Sequence, residues 1–265
     1  RRPESVLEQV RQLVDFGYAE IVITGVHVGD YGLDLAEESR LLTDLAWKIL
    51  QMPGLARMRV SSIEPSTVTD ELIDLMAGEE KFARHFHIPF QSGSDEILRS
   101  MNRRYAAGEF AELIRRIAER VPDCGIGTDV ICGFPGETDD HFRETFNHLE
   151  TLPITYIHPF TYSVRPGSEA ESMGDHVQGD VKKRRTRALK KLSRDKARAF
   201  RERLVGSDVV VFAEEMRVSG QPHLGGLTDN YVRVDLGPGS ADQTLLRARV
   251  TGVTDDGVVG ERVAA

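Results

Sequence analysis

Over its first 160 residues the chain alternates two hydrophobic rhythms. Apolar positions three and four apart mark amphipathic helices, and short apolar runs bounded by glycine or proline mark strands. Ser5 to Phe16 reads as a helix, with Val6, Leu7, Val10, Leu13 and Val14 on one face and Gly17 closing it. Glu20 to Thr24 reads as a strand that empties into the glycine-rich loop Gly25 to Gly32. A helix over Leu41 to Met52, a strand over Arg57 to Ser61 and a helix from the cap Thr69 to Met76 follow. His85 to Phe90 is a strand, and Asp95 to Ser100 and Gly108 to Val121 are helical. The pattern continues with a strand ending at Cys132, a helix from Asp139 to Leu149 and a strand over Thr155 to Phe160. Five βα-type repeats in order predict parallel strands with right-handed crossovers. The unit is either a doubly wound sheet or an open or closed β/α barrel.

The character changes after Ser163. Val181 to Leu204 predicts one long helix. It carries Lys182, Lys183, Arg184, Arg185, Arg187, Lys190, Lys191, Arg194, Lys196, Arg198, Arg201 and Arg203 against only Asp195 and Glu202. Such a helix is an electrostatic footprint for phosphate, or else a solvated face. Beyond Gly206 the chain reads as all-β, with short strands over Val209 to Glu215, Leu227 to Val234, Thr244 to Val253 and Gly257 to Val263. This suits a small β-barrel of the oligonucleotide-binding kind. The boundary falls near Leu204 to Ser207, giving domains 1–205 and 206–265.

Composition narrows the picture only a little. The 265 residues are 40% hydrophobic and carry a net charge of −8. No apolar run approaches the ~20 residues of a membrane span. The opening Arg1-Arg2-Pro3, without Met or a signal-like stretch, predicts a cytoplasmic protein whose start has been cut away. Cys124 and Cys132 make no CxxC pattern and read as reduced core thiols.

The stretch Gly127-Thr-Asp-Val-Ile-Cys-Gly-Phe-Pro-Gly-Glu-Thr138 carries the most chemistry. It reads as a buried strand, a tight turn and a helix start. A strand ending in a glycine-rich turn before a helix exposes backbone at its carboxyl end, where α/β folds place ligands. Asp129 lies in an otherwise apolar strand, where a carboxylate needs a partner or a job. Other strand ends are polar too. They hold Thr24, Gly25 and His27, then Ser61, Ser62 and Glu64, then His85, His87, Gln91 and Ser92, and finally His158, Tyr162 and Arg165. Convergence of this kind is the mark of a barrel active site. His85-Phe86-His87 sets both imidazoles on one face, as metal ligands or as hydrogen-bonded lining histidines. Glu64 before Pro65 also suits a helix-capping carboxylate.

Several segments, in order, resemble one family. They are Thr24-Gly25-Val-His-Val-Gly29-Asp-Tyr31-Gly32, Ser61-Ser-Ile-Glu-Pro65, His87-Ile-Pro-Phe-Gln-Ser-Gly-Ser94 with Met101-Asn-Arg103, the Gly127 to Thr138 stretch, and His158-Pro-Phe-Thr-Tyr-Ser-Val-Arg-Pro-Gly167. Together they resemble the radical S-adenosylmethionine methylthiotransferases, closest to the branch that modifies threonylcarbamoyladenosine in tRNA (MtaB-type). The resemblance implies an open parallel β/α (TIM-like) radical-SAM barrel over 1–205, six-stranded in the family and here lacking its first strand. It also implies a TRAM (OB-like) RNA-binding barrel over 206–265. The family's CxxxCxxC motif is not in this sequence, and Cys124 and Cys132 match no ligand position, so no residue is assigned to metal. The chain is expected to be an amino-terminally truncated fragment, inactive alone.

The implied chemistry inserts a methylthio group at C2 of an N6-modified adenosine beside the anticodon. S-adenosylmethionine and [4Fe–4S] clusters are the implied cofactors, tRNA and an electron donor the implied partners, and a cytoplasmic monomer the implied state. Carried over by position, Thr24 and Gly25 meet the methionine amino group, Gln91 and Ser92 the ribose, and Asp129, Gly133 and Phe134 the adenine. Glu64 and Arg103 are further polar candidates for the cofactor. For RNA the candidates are Lys183, Arg184, Lys190 and Lys191, with Tyr231 and Arg233 in Asn230-Tyr-Val-Arg-Val either to stack and pair or as ordinary outward strand residues. Two other readings stay open. One is a metal-dependent barrel lyase using His85, His87, Glu64 and Asp129; the other is a non-catalytic RNA-binding module.

Overall fold

A computed structural model describes residues 1–35, 42–218, 220–239 and 244–263. Leu41, the expected start of the second helix, lies outside the described residues. The first part of the chain alternates helix and strand as the periodicity predicts. Helix α1 (Pro3–Asp15) leads to β1 (Glu20–Ile23), α2 (Leu42–Leu50) to β2 (Arg57–Val60) and α3 (Asp70–Gly78) to β3 (His85–His87). Helices α4 (Asp95–Ser100) and α5 (Ala107–Arg120) precede β4 (Gly125–Cys132), and α6 (Asp139–Thr151) precedes β5 (Tyr156–Thr161).

The five strands run parallel in chain order. β1 pairs with β2, and β3, β4 and β5 form a continuous ladder. Parallel bridges Met58 to Phe82 and Ser62 to His87 link the two groups. The strand order never reverses, so the doubly wound alternative, which needs a switch point, is set aside. β3 is shorter than expected. After Pro89 the chain bulges, with Gln91 at φ 64, while still donating from Phe90 and Gln91 to the Asp129 carbonyl.

Alternate strand residues face the helices and fill one core, with Phe86, Ile126, Val130, Cys132 and Ile157 among them. The opposite, inner face is polar. It presents Glu20, Arg57, Arg59, His85, His87, Asp129, Tyr156 and His158, as the two-residue period requires. Two glycines of β4 on this face make room for large neighbours. A Cβ on Gly127 would lie 2.0 Å from the Tyr156 ring, and one on Gly125 would lie 2.2 Å from the Asn230 carbonyl.

The long basic helix α7 (Gly179–Arg203) packs along β5. Its Ser193 hydroxyl donates to the Ile157 carbonyl at 2.9 Å and accepts from the Ile157 N–H at 2.8 Å. One side chain thus satisfies both free backbone groups of that edge residue.

The terminal segment is a closed five-stranded barrel. It contains β6 (Asp208–Val218), β7 (Gln221–Thr228), β8 (Arg233–Pro238), β9 (Thr244–Val253) and β10 (Val258–Arg262) in the order β10-β8-β7-β6-β9. Within this barrel, among the described residues, only β8 and β10 pair in parallel. The single strand expected over Leu227 to Val234 is instead two strands and a turn. The Thr228 hydroxyl donates to Asn230 Oδ1 and accepts from the Val232 N–H, and Tyr231 sits at φ 68. That local competition by a threonine side chain ends the ladder.

This turn inserts against the inner face at the strand starts. Arg57 donates to the Val210 carbonyl at 2.9 Å and the Leu227 carbonyl at 3.2 Å. Arg59 donates to the Thr228 and Asp229 carbonyls, both at 3.0 Å. Glu20 pairs with both guanidiniums, and Arg84 pairs with Asp229 at 2.6 Å. Gly125→Ala should push a methyl into the Asn230 carbonyl. We expect a loss of about 1–3 kcal/mol, the usual cost of overpacking. Thermal unfolding checks it, and an unchanged midpoint would show that the turn yields freely.

Candidate functional site

Thr24 and Gly25 end β1 and are exposed. With α1, Val28 and Tyr31 they line a cavity of about 480 Å³ against the β1 edge. At the end of β2, Glu64 does not cap the short turn that follows it. It forms a two-pronged ion pair with Arg103, at 3.1 and 3.3 Å. Expected as separate candidates, the two are one unit.

Gln91 and Ser92 follow β3 and part company. Gln91 holds its left-handed backbone by hydrogen bonds to β4, from its own N–H to the Asp129 carbonyl and from the Ile131 N–H to its carbonyl. A non-glycine residue at such an angle is strained, and strain of this kind gathers at functional sites. Ser92 is buried and faces Thr145 and the Ser94 N–H, so it shapes the turn.

After β4 the glycine-rich turn is pinned from below. Gly133 lies at φ 79, and its N–H donates to Glu137 Oε2 at 2.8 Å. Arg185 of α7 in turn holds the Glu137 carboxylate and carbonyl, and reaches Asp139 at 2.8 Å. Burial pushes the Glu137 carboxyl up in spite of that guanidinium. Phe134 packs edge-on against Tyr162 with ring centres 5.3 Å apart. Neither Glu137 nor Arg185 stands out in the sequence, because each reads as one more charge in a polar stretch.

On the inner face a chain of hydrogen bonds crosses three strands. The Tyr156 hydroxyl lies 2.8 Å from His85 Nε2 and 3.3 Å from His87 Nδ1. His87 Nε2 is 3.0 Å from Asp129 Oδ1, and His158 Nδ1 is 3.5 Å from the same oxygen. The partner that Asp129 requires is therefore a pair of imidazoles. Burial pushes its carboxyl up, but hydrogen bonds from His158 and His87 and their charges outweigh this and hold it well below the usual range. By distance His87 is the closer of the two. The ligand atoms of His87, Asp129 and His158 lie within 4.8 Å of one another, a spacing that also suits a divalent cation. The four residues of the lyase reading do not gather in that way: His85 turns to Tyr156 and Tyr231, and Glu64 is taken by Arg103.

His85 is buried beside Arg59 and stacks on Tyr231 at 4.2 Å. Burial first, then the charges of Arg59 and His87, pull its pKa well below the ordinary value. The folded chain therefore resists a proton that the unfolded chain accepts. Stability due to this group is complete above about pH 6.5 and falls as pH drops, with a limiting slope of about 1.4 kcal/mol per pH unit. A His85→Gln variant should flatten the slope of stability between pH 6.5 and 5. Equal slopes in both proteins would place the titration elsewhere.

Cys124 and Cys132 are buried, free and at opposite ends of β4. Burial pushes Cys124 up to about 12 and Cys132 up to about 11. Eight strand steps separate them by roughly 26 Å. Neutral thiols so placed do not fit a shared iron–sulfur cluster.

The basic helix has two different faces. Lys183, Arg187, Lys190 and Arg194 line a cavity of about 290 Å³ beside Thr161 and Thr186. Among the described residues none of these four is in an ion pair. Arg184, Lys191 and Arg198 point elsewhere and pair with Asp139, Asp195 and Glu202. Of the expected RNA contacts, Lys183 and Lys190 thus share the free face, while Arg184 and Lys191 are paired. Lys190 and Arg194 also wall a second cavity with His158 and Phe160. His158 and Ser193 continue into a third, which includes Tyr231 and Arg233. The seam of β5 and α7 is a cationic trough that opens onto the inner face at His158. Arg187, Arg194 and Arg201 share it, and one-sided helical spacing was the signal that could have picked them out.

No helix among the described residues is long and apolar enough to cross a membrane. The family model for the radical SAM superfamily matches residues 1–149. Threonylcarbamoyladenosine tRNA methylthiotransferase MtaB of Bacillus subtilis (strain 168) is 38% identical, with 88% of this chain and 52% of that protein covered. The tRNA-2-methylthio-N(6)-dimethylallyladenosine synthase of Geobacillus kaustophilus (strain HTA426) is 35% identical over 99% of this chain and 50% of that protein. The chain spans about half the length of the curated relatives it matches. Among solved structures, coproporphyrinogen III oxidase (HemN) of Escherichia coli, a radical SAM enzyme, shares the fold. Its TM-score is 0.52 at 16% identity, with 70% of this chain and 44% of that one covered.

Proposed function

The chain belongs to the radical SAM superfamily, and from that premise we propose that it is the barrel and RNA-docking part of a tRNA methylthiotransferase. The substrate in this reading is N6-threonylcarbamoyladenosine next to the anticodon, methylthiolated at C2. The observation that carries it is the trough. A cationic face, without ion pairs among the described residues, runs along α7 from Thr161 at the end of β5 to the inner face at His158 and the strand starts. An enzyme acting on one base of a folded RNA needs to hold the phosphates beside that base. Likeness to two tRNA-modifying methylthiotransferases over 88% and 99% of the chain supports the same reading.

S-adenosylmethionine would supply the methyl group and, with an electron from an outside donor, the radical chemistry at C2, while the sulfur would come from an iron–sulfur cluster held outside these residues. Thr24 and Gly25 at the end of β1, Gln91 at the bulge, and Gly133 and Phe134 after β4 are the residues we assign to holding it. Asp129, fixed as an anion by its two histidines, and the Glu64–Arg103 pair complete the polar wall. Ser92 supports the turn that places Gln91. The cluster is another matter. Cys124 and Cys132 do not fit it, and in this reading its thiolates come from outside these 265 residues. The closing five-stranded barrel acts as the RNA-binding TRAM unit, anchored by Arg57 and Arg59.

The test is a chimera in which these residues replace the matching part of the Bacillus subtilis relative, in cells lacking that protein. Digests of tRNA should regain a 2-methylthio group on threonylcarbamoyladenosine by mass spectrometry. Its appearance on dimethylallyladenosine alone would correct the substrate, and its absence with a folded, cluster-loaded chimera would overturn the reading. A metal-dependent reading is favoured only by the spacing of His87, Asp129 and His158. It predicts stoichiometric zinc or iron lost in Asp129→Asn, which metal analysis decides.

A further inference from the structure

The trough changes chemistry along its length. Its upper part is cationic. Its lowest cavity, about 310 Å³, lies where β5, α7 and the β7–β8 turn meet. Tyr156 and Tyr231 give it aromatic walls, and Phe200 and Val232 apolar ones. Donors and an acceptor mix in its lining: Arg201 and Arg233 beside the carboxylate of Asp256. The Arg201 Nε is buried without a hydrogen-bond partner.

Two features shape the cavity for something planar. One is Tyr231, whose ring is set by a left-handed backbone and by stacking on His85, and which remains 42% exposed. The other is size, at the low end of ligand pockets, enough for a single small group. A phosphate alone would favour the upper trough, where four cations stand without a carboxylate. Aromatic faces with a mixed polar rim match a neutral nucleobase, which offers a π-face and both donors and acceptors on its edge.

We propose that this cavity takes one unpaired nucleobase of the RNA, a few nucleotides along the strand from the base at the inner face, with the intervening phosphates on Lys190 and Arg194. This rests on the tRNA-modifying reading and adds to it a second point of base recognition. Arg201 or Arg233 would donate to an acceptor on the base edge, and Tyr231 or Tyr156 would carry its face.

The test uses this chain and hairpin RNAs with the loop of an anticodon arm. In each RNA one loop nucleotide is made abasic, and affinity is read by fluorescence anisotropy at fixed salt. Besides the base at the inner face, one further abasic position should weaken binding by about tenfold, the scale of one lost stack. Ala197→Trp fills the cavity from a half-buried position on α7 without removing a native contact. It should weaken the intact RNA by a similar factor and abolish the penalty at that one position. Tyr231→Leu, checked for folding by circular dichroism, should do the same. If every abasic position costs the same within twofold, the subsite is overturned while the RNA reading stands. The same holds if Ala197→Trp leaves both affinities unchanged. No binding of any hairpin overturns both.

Discussion

Arg185→Met is expected to cost about 3–5 kcal/mol of folding stability, the usual loss when one partner of a buried ion pair is removed. Arg185 and Glu137 are 4% and 2% exposed. Removing the guanidinium leaves a buried carboxylate without its counter-charge, and the Glu137 carbonyl and Asp139 each lose a donor. Glu137 is already pushed up by burial, so it would take a proton rather than stay charged. That relief caps the loss but removes the strong acceptor that Gly133 N–H uses. The glycine-rich turn would then loosen from α7. Urea unfolding should show a lower midpoint with an unchanged slope. The double variant Arg185→Met/Glu137→Leu should recover part of the loss, because a matched apolar pair carries no desolvation cost. A single variant within 1 kcal/mol of the parent would show that the turn stands without this pair.

The parallel strands were legible because each alternates or runs apolar between clear breakers, and five such units in order leave few topologies. The Gly127 to Thr138 stretch was legible for the same local reason. What escaped were contacts between residues far apart in the chain. Arg57 and Arg59 look like solvent-facing charges in a short strand. They are 3% and 4% exposed because carbonyls some 150 to 170 residues later close over them. Local pattern holds no trace of that partner. The same limit hid the break at Asn230, where one threonine side chain redirects the backbone, and the private partnership of Glu64 with Arg103. A strand end tells which residues gather, but not which of them are already spoken for.

Neutralising one face of α7 should separate phosphate binding from mere charge. Arg187, Lys190 and Arg194 line the trough without ion pairs among the described residues. Arg184, Lys191 and Arg198 lie outside it, each beside its own carboxylate. Changing either set to glutamine removes three positive charges, so long-range attraction falls equally in both. Only the first set should alter the contacts themselves. Each phosphate contact contributes about 0.7–0.9 to the slope of log affinity against log salt. The trough variant should therefore lose about 2–3 from the magnitude of that slope, and the control variant less than 1. Tyr231 lies at the far end of the same trough, and its substitution should affect affinity with little change of slope, since stacking releases no counterions. The measurement is a salt titration of hairpin binding from about 50 to 200 mM, the range over which such contacts weaken steeply. Equal slopes for the two triple variants would mean that the helix attracts RNA as a diffuse positive rod, and that the trough does not hold its phosphates.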